Sequence, residues 1–163
     1  MSSRRGPETG ALRPFRFVAA GVRCEVVAGP GALDALGRVL PRIAAGRWFV
    51  VSSAPVLALQ GARLRDALAA CASVDPEPVL VPDGEAAKSW KSLGRLLSDL
   101  CRRGLRRDGG VVAFGGGTVG DAAGLAASLA LRGVPVVQAP TTLLAASDSA
   151  LGGKTAVNLP AGK

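Results

Sequence analysis

Histidine and tyrosine are both absent from the 163 residues, aromatic side chains make up only 4%, and there is a single methionine. Without histidine, neither a His-based metal site nor a Ser/His or Cys/His nucleophile pair can be assembled from this chain alone. The cysteines Cys24, Cys71 and Cys101 are odd in number and far apart. That spacing argues against a disulfide framework and against a paired-cysteine metal site, and leaves buried thiols as the expectation. The scarcity of aromatics removes the stacking platforms used on single-stranded nucleic acid. The net charge of +8 is therefore read as arginine scattered over the surface. Its densest cluster, "RRGLRR" at 102–107, reads as a solvated helix end whose cations complement the dipole. No apolar run approaches a membrane span, and Arg4 and Arg5 precede "GPETGALRPFRF" rather than an apolar export core. These absences lead to the expectation of a cytoplasmic protein that binds neither nucleic acid nor membrane.

The chain does have 48% hydrophobic residues and 22 glycines. The first figure excludes disorder, and the length fits one domain or one half of something larger. After a loose N-terminus at 1–12, "FRFVAAGVRCEVVAG" offers two strand-like runs around Gly21, as in a hairpin. Leu33, Leu36 and Leu40 then predict a short helix, "RWFVVSS" a buried strand, and Leu57, Leu64, Leu68 and Cys71 a second helical face. Strand "EPVLVP" follows, then a helix carrying Trp90, Leu93, Leu97 and Leu100, with Trp90 expected in the core. Next come strand "GGVVAF", a small-residue helix over about 119–130, strand "VPVVQA" and a Gly/Thr/Ser-rich tail. Strands that alternate with helices and do not alternate in polarity predict an α/β domain, over 13–163, with a parallel sheet covered on both faces.

Ligands of such sheets bind at the carboxyl ends of the strands. Four segments occupy those places: "SSAP", "PDGEAAK", "GGGTVGD" and "PTT", which should line one crevice. Within them Gly115, Gly117 and Gly120 satisfy G-x-G-x-x-G between a strand and a helix. A conventional dinucleotide site also needs an acid at the end of the next strand, where this chain has Gln138, Ala139 and Pro140. Amides at a glycine-lined helix start bind phosphate whatever the wider fold, so a Rossmann-like phosphate cradle is expected. The alternative is a loop shaped only by tight strand-to-helix packing, with Asp121 complementing the helix dipole from the first turn. "GGKT" at 152–155 imitates the end of a P-loop, but the first glycine that motif needs falls on Asp148.

Taken together, "PDGEAAKS", "GGGTVGDAAGLAAS", "LRG", "PTTLLAASDSALGGKTAVN" and the final "GK" resemble the 3-dehydroquinate synthases, members of the sugar phosphate cyclases. The resemblance is strongest from Val81 to Lys163 and keeps order and spacing. It implies the N-terminal, NAD-binding α/β domain of that family, without the helical C-terminal domain that supplies most metal and substrate ligands. It further implies that Gly116, Gly117, Thr118 and Asp121 contact the NAD pyrophosphate region. Glu85, Lys88, Thr141, Thr142, Leu144, Asp148 and Lys163 would surround the cofactor. Arg132, Asp148 and Lys154 would touch substrate, with Asp148 and Lys154 on the catalytic side; Arg132 also reads as a plain helix-end cation. One departure lies after strand "RWFVV", where relatives carry an Asp with an Asn two residues on and this chain has Ser52 and Ala54.

The implied reaction converts a seven-carbon keto-sugar-acid phosphate into 3-dehydroquinate by NAD-assisted loss of phosphate and ring closure, in an enzyme that is a homodimer when complete. A divalent metal, zinc or cobalt, would be held by ligands outside this chain. On that reading the chain alone is inactive. Other sugar phosphate cyclases of the inosose or valiolone type, iron-dependent alcohol dehydrogenases and a non-catalytic nucleotide-binding module are the alternatives.

Overall fold

The computed structural model describes residues 12, 14–19, 21–153 and 155–159. The expectation for the N-terminus falls, Leu12 apart, outside them. The chain opens with a hairpin, β1 (Phe15–Ala19) against β2 (Val22–Val26), turning at Gly21 with φ 79°. The main body follows as α1 (Leu36–Ile43), β3 (Trp48–Ser52), α2 (Ala54–Leu68), β4 (Val79–Leu80), α3 (Trp90–Arg102), β5 (Gly110–Gly115), α4 (Gly117–Leu129), β6 (Val136–Pro140), α5 (Leu143–Ser147) and α6 (Ser149–Gly152). One 3₁₀ segment, Ala32–Ala35, leads into α1, a second covers Gly84–Lys88, and a third, Ala130–Arg132, follows α4.

Four strands form one parallel sheet in the order β4-β3-β5-β6. Register pairs Val51 with Ala113 and Val112 with Val137. The centre is buried on both faces, which is why β3 and β5 read as unbroken apolar runs. Alternation along the pleat still divides them. Phe49, Val51, Val111 and Ala113 join Leu93, Leu96 and Leu100 of α3 and the small residues of α4 in one core. Trp48, Val50, Val112 and Phe114 join Leu36, Leu40 and Leu64 in a second core, on the α1 and α2 face. Each fully buried Val, Leu or Phe stabilises the fold by about 1.5–3 kcal/mol.

Three expectations are corrected. Trp90 is 61% exposed. It lies seven positions before Leu97, so the two share one stripe of α3, and Leu97 is itself only partly buried; that stripe is the margin of the packed face. The thiols are not all buried: Cys71 is, Cys24 is half-buried and Cys101 is exposed. Asp121 falls beyond the first turn of α4, which starts at Gly117.

Candidate functional site

The chain leaves β3 for β4 on one side and β5 for β6 on the other, so the topology reverses between the neighbours β3 and β5. α2, which follows β3, covers one face; α4, which follows β5, covers the opposite face. The carboxyl ends of β3 and β5 therefore flank the switch-point crevice of an open α/β sheet. The four segments singled out from the sequence share this edge. Ser53 Oγ donates to Asp83 Oδ1 at 3.3 Å, and the Thr141 amide donates to the Gly115 carbonyl at 2.9 Å. Gly116 faces Thr142, and Gly117 faces Ser149.

The glycines of the β5–α4 loop separate into two groups. A Cβ on Gly115 would lie 2.7 Å from Val119, and one on Gly120 would lie 2.9 Å from Gln138 Oε1. Gly115 is required by strand-to-helix packing, whereas at Gly120 the obstacle is the end of the Gln138 side chain. A Cβ on Gly116 would meet nothing closer than Thr142 at 3.7 Å, and one on Gly117 nothing closer than Ser149 Oγ at 3.5 Å. Gly116, the residue before the helix, has extended backbone at φ −75° and ψ −176°, which any residue adopts. Among the described residues, neither internal packing nor backbone conformation explains glycine at 116 and 117. Glycine at a helix start permits close approach from outside, where amides attract anions. Gln138 occupies the strand position where a ribose-binding acid would sit. Instead of facing a ligand, its Nε2 donates to the Gly120 carbonyl at 3.2 Å.

Beside the loop lies a charged cluster. The Lys88 ammonium, 9% exposed, pairs with Asp121 Oδ2 of α4 at 2.5 Å and stands 4.0 Å from Glu85 Oε1. Glu85 in turn accepts from Asn158 Nδ2 at 2.6 Å. Sequence reasoning missed Asn158; the "AVN" tail carried no chemical signal without its partner. Ser52, where the resemblance expects Asp, is buried, and its Oγ donates to the Phe114 carbonyl at 2.7 Å, tying β3 to β5 at the switch point.

The other predicted residues are placed as follows. Thr118 lies in the first turn of α4. Thr142 caps α5 by accepting from the Ala145 amide at 3.2 Å, and Leu144 is 76% exposed beside it. Asp148 is the joint between α5 and α6. Arg132 is not brought to the others. It follows α4, whose 13 residues separate it from the glycine loop by about 20 Å. There Leu131, Arg132 and Gly133 all have positive φ, so Arg132 is held in a left-handed turn rather than in the helix's last turn. Lys154 and Lys163 lie outside the described residues. Among the described residues no three His, Cys, Asp or Glu side chains gather as a metal site, and no helix is long and apolar enough to cross a membrane.

Comparison with known proteins agrees with this geometry. A 3-dehydroquinate synthase of Laribacter hongkongensis is 46% identical over 136 residues, 83% of this chain and 37% of the relative. The crystal structure of a 2-deoxy-scyllo-inosose synthase complexed with carbaglucose-6-phosphate, NAD+ and Co2+ superposes with a TM-score of 0.83 at 29% identity, over 93% of this chain and 41% of that one. A 2-epi-5-epi-valiolone synthase from Streptomyces hygroscopicus subsp. jinggangensis, with NAD+ and Zn2+ bound, gives 0.62 at 35% identity, over 69% of this chain and 31% of that one. Residues 78–163 match the family model described as 3-dehydroquinate synthase N-terminal. With the glycine loop and the β5 side of the crevice inside that match, and 46% identity over 83% of the chain, the protein belongs to the 3-dehydroquinate synthase family.

Proposed function

We propose that this chain is the nucleotide-holding part of a 3-dehydroquinate synthase, binding NAD at the β5–α4 loop and presenting it to a phosphorylated sugar-acid substrate. The observation that carries the reading is the space before Gly116 and Gly117: a cradle that a side chain would fill, at the start of a 13-residue helix. Amides in the first turn of α4 would donate to the pyrophosphate oxygens. Lys88 has three N–H donors; one is directed at Asp121 Oδ2, while Glu85 Oε1 at 4.0 Å is an electrostatic neighbour only, so N–H groups remain for a ligand oxygen. Because Asp121 already neutralises Lys88, the ammonium acts as a fixed donor more than as a free positive charge. Asp148, at the α5–α6 joint, would accept from a substrate hydroxyl. Bound NAD supplies a reversible hydride acceptor that lets a ring alcohol pass through the ketone level while phosphate leaves.

The described residues do not fit a divalent metal: histidine is absent and no three acidic or thiol groups converge. The chain spans 37% of the length of the curated relative, and metal and the remaining substrate ligands are assigned outside these 163 residues. An inosose or valiolone synthase is the second reading, favoured by the 0.83 superposition. The 46% identity to a dehydroquinate synthase, against 29% to the inosose enzyme, favours the first.

Calorimetric titration with NAD tests the proposal. Wild-type chain should bind, and Gly117→Val should abolish binding while the thermal midpoint is unchanged. A Cβ at 117 makes only an ordinary contact, with Ser149 Oγ at 3.5 Å, and valine is no worse than glycine inside a helix. Equal affinity in the variant contradicts the assignment of the cradle.

A further inference from the structure

Asn158 makes two bonds to the 3₁₀ turn Gly84–Lys88. Its backbone N–H donates to the Lys88 carbonyl at 2.7 Å, and its Nδ2 donates to Glu85 Oε2 at 2.6 Å. The other end of the amide, Oδ1, is buried and has no hydrogen-bond partner among the described residues. The orientation is forced, since the flipped amide would set Oδ1 against a carboxylate oxygen, acceptor against acceptor. A buried carbonyl oxygen without a donor is a net cost to the fold, and an alanine at 158 would avoid it while keeping the backbone bond to Lys88. That cost offsets the gain from the Nδ2 bond to Glu85, the two being of similar size, so net stability does not account for an amide at this position.

What the amide does is fix Glu85, an exposed acid that would otherwise sample several rotamers. From there the contacts continue inward: Glu85 Oε1 stands 4.0 Å from Lys88 Nζ, which is 2.5 Å from Asp121 on α4. We infer that Asn158 is a positioning residue of the nucleotide site, a latch that clamps the Gly84–Lys88 turn against α4 so that Glu85 and Lys88 keep one geometry beside the glycine loop. The inference rests on the nucleotide reading above and adds to it a residue that does not touch the ligand.

The test compares wild type with Asn158→Ala, which removes the amide, and Asn158→Asp, which keeps its size but turns the donor into an acceptor. Three readouts are needed: thermal midpoint, hydrogen exchange of amides 84–88 and 158, and NAD affinity. Both variants should weaken NAD binding about tenfold and speed exchange in the turn about tenfold. For Asn158→Ala the midpoint should stay within about 2 °C. A purely structural role would instead lower the midpoint and raise exchange through α3 and β5 as much as in the turn; that result overturns the inference, as do unchanged exchange and affinity in both variants. If wild type itself takes up no NAD, the nucleotide reading fails. If wild type binds and the variants bind equally, only the role of Asn158 fails.

Discussion

Lys88 and Asp121 are 9% and 12% exposed and 2.5 Å apart, a nearly buried ion pair linking the Gly84–Lys88 turn to α4. Removing one partner of such a pair strands the other charge at a cost of about 3–5 kcal/mol, whereas replacing both with apolar side chains is often neutral. Lys88→Met should accordingly lower unfolding free energy in urea by about that amount, and Lys88→Met with Asp121→Leu should recover most of it while NAD binding stays lost. A double variant that also regained NAD affinity would reduce the pair to a packing device. The strand-end rule put the segments of both residues at one crevice and the family resemblance singled the two out, but nothing in their spacing, 33 positions apart, announces that they pair. Ser52 illustrates the converse. Its departure from the family pattern was plain in the sequence, but its bond to the Phe114 carbonyl is a product of the β3–β5 register.

Among the elements, α4 was legible because its composition is extreme. Gly120, Ala122, Ala123, Gly124, Ala126 and Ala127 are all buried. Small side chains let the helix lie close on the sheet. The tightest approach is between Gly115, at the end of β5, and Val119 of α4, so Gly115→Ala should destabilise by about 1–3 kcal/mol, because the new Cβ meets the branched Val119 side chain at 2.7 Å. A denaturant midpoint equal to or above wild type would show that α4 shifts away from the strand freely. Other elements were less legible. "EPVLVP" predicted a full strand, yet β4 is Val79–Leu80 alone, since an edge strand with one neighbour stops where β3 stops pairing. The 3₁₀ turn Gly84–Lys88 was invisible to periodicity because five residues are too few to show one.

For the molecule as a whole, the parallel sheet, its two covered faces and the gathering of the four segments at its carboxyl edge followed from the order of strands and helices. The strand order did not. Adjacency of β3 and β5, which puts the crevice between Ser53 and Gly116, depends on crossovers that local patterns do not encode. The same sheet has a second polar cleft at its opposite, amino-terminal edge, of about 350 Å³ and lined by Arg47, Asp75, Pro76, Glu77 and Arg103. There Asp75 pairs with both arginines, at 3.6 and 3.7 Å. The two edges offer opposite answers to where a nucleotide binds. Backbone amide chemical shifts followed during NAD titration distinguish them directly. Perturbations concentrated at Gly116, Gly117, Thr118, Thr142 and the 84–88 turn are the predicted result; perturbations centred on Arg47, Asp75 and Arg103, with the glycine loop unmoved, would contradict the account.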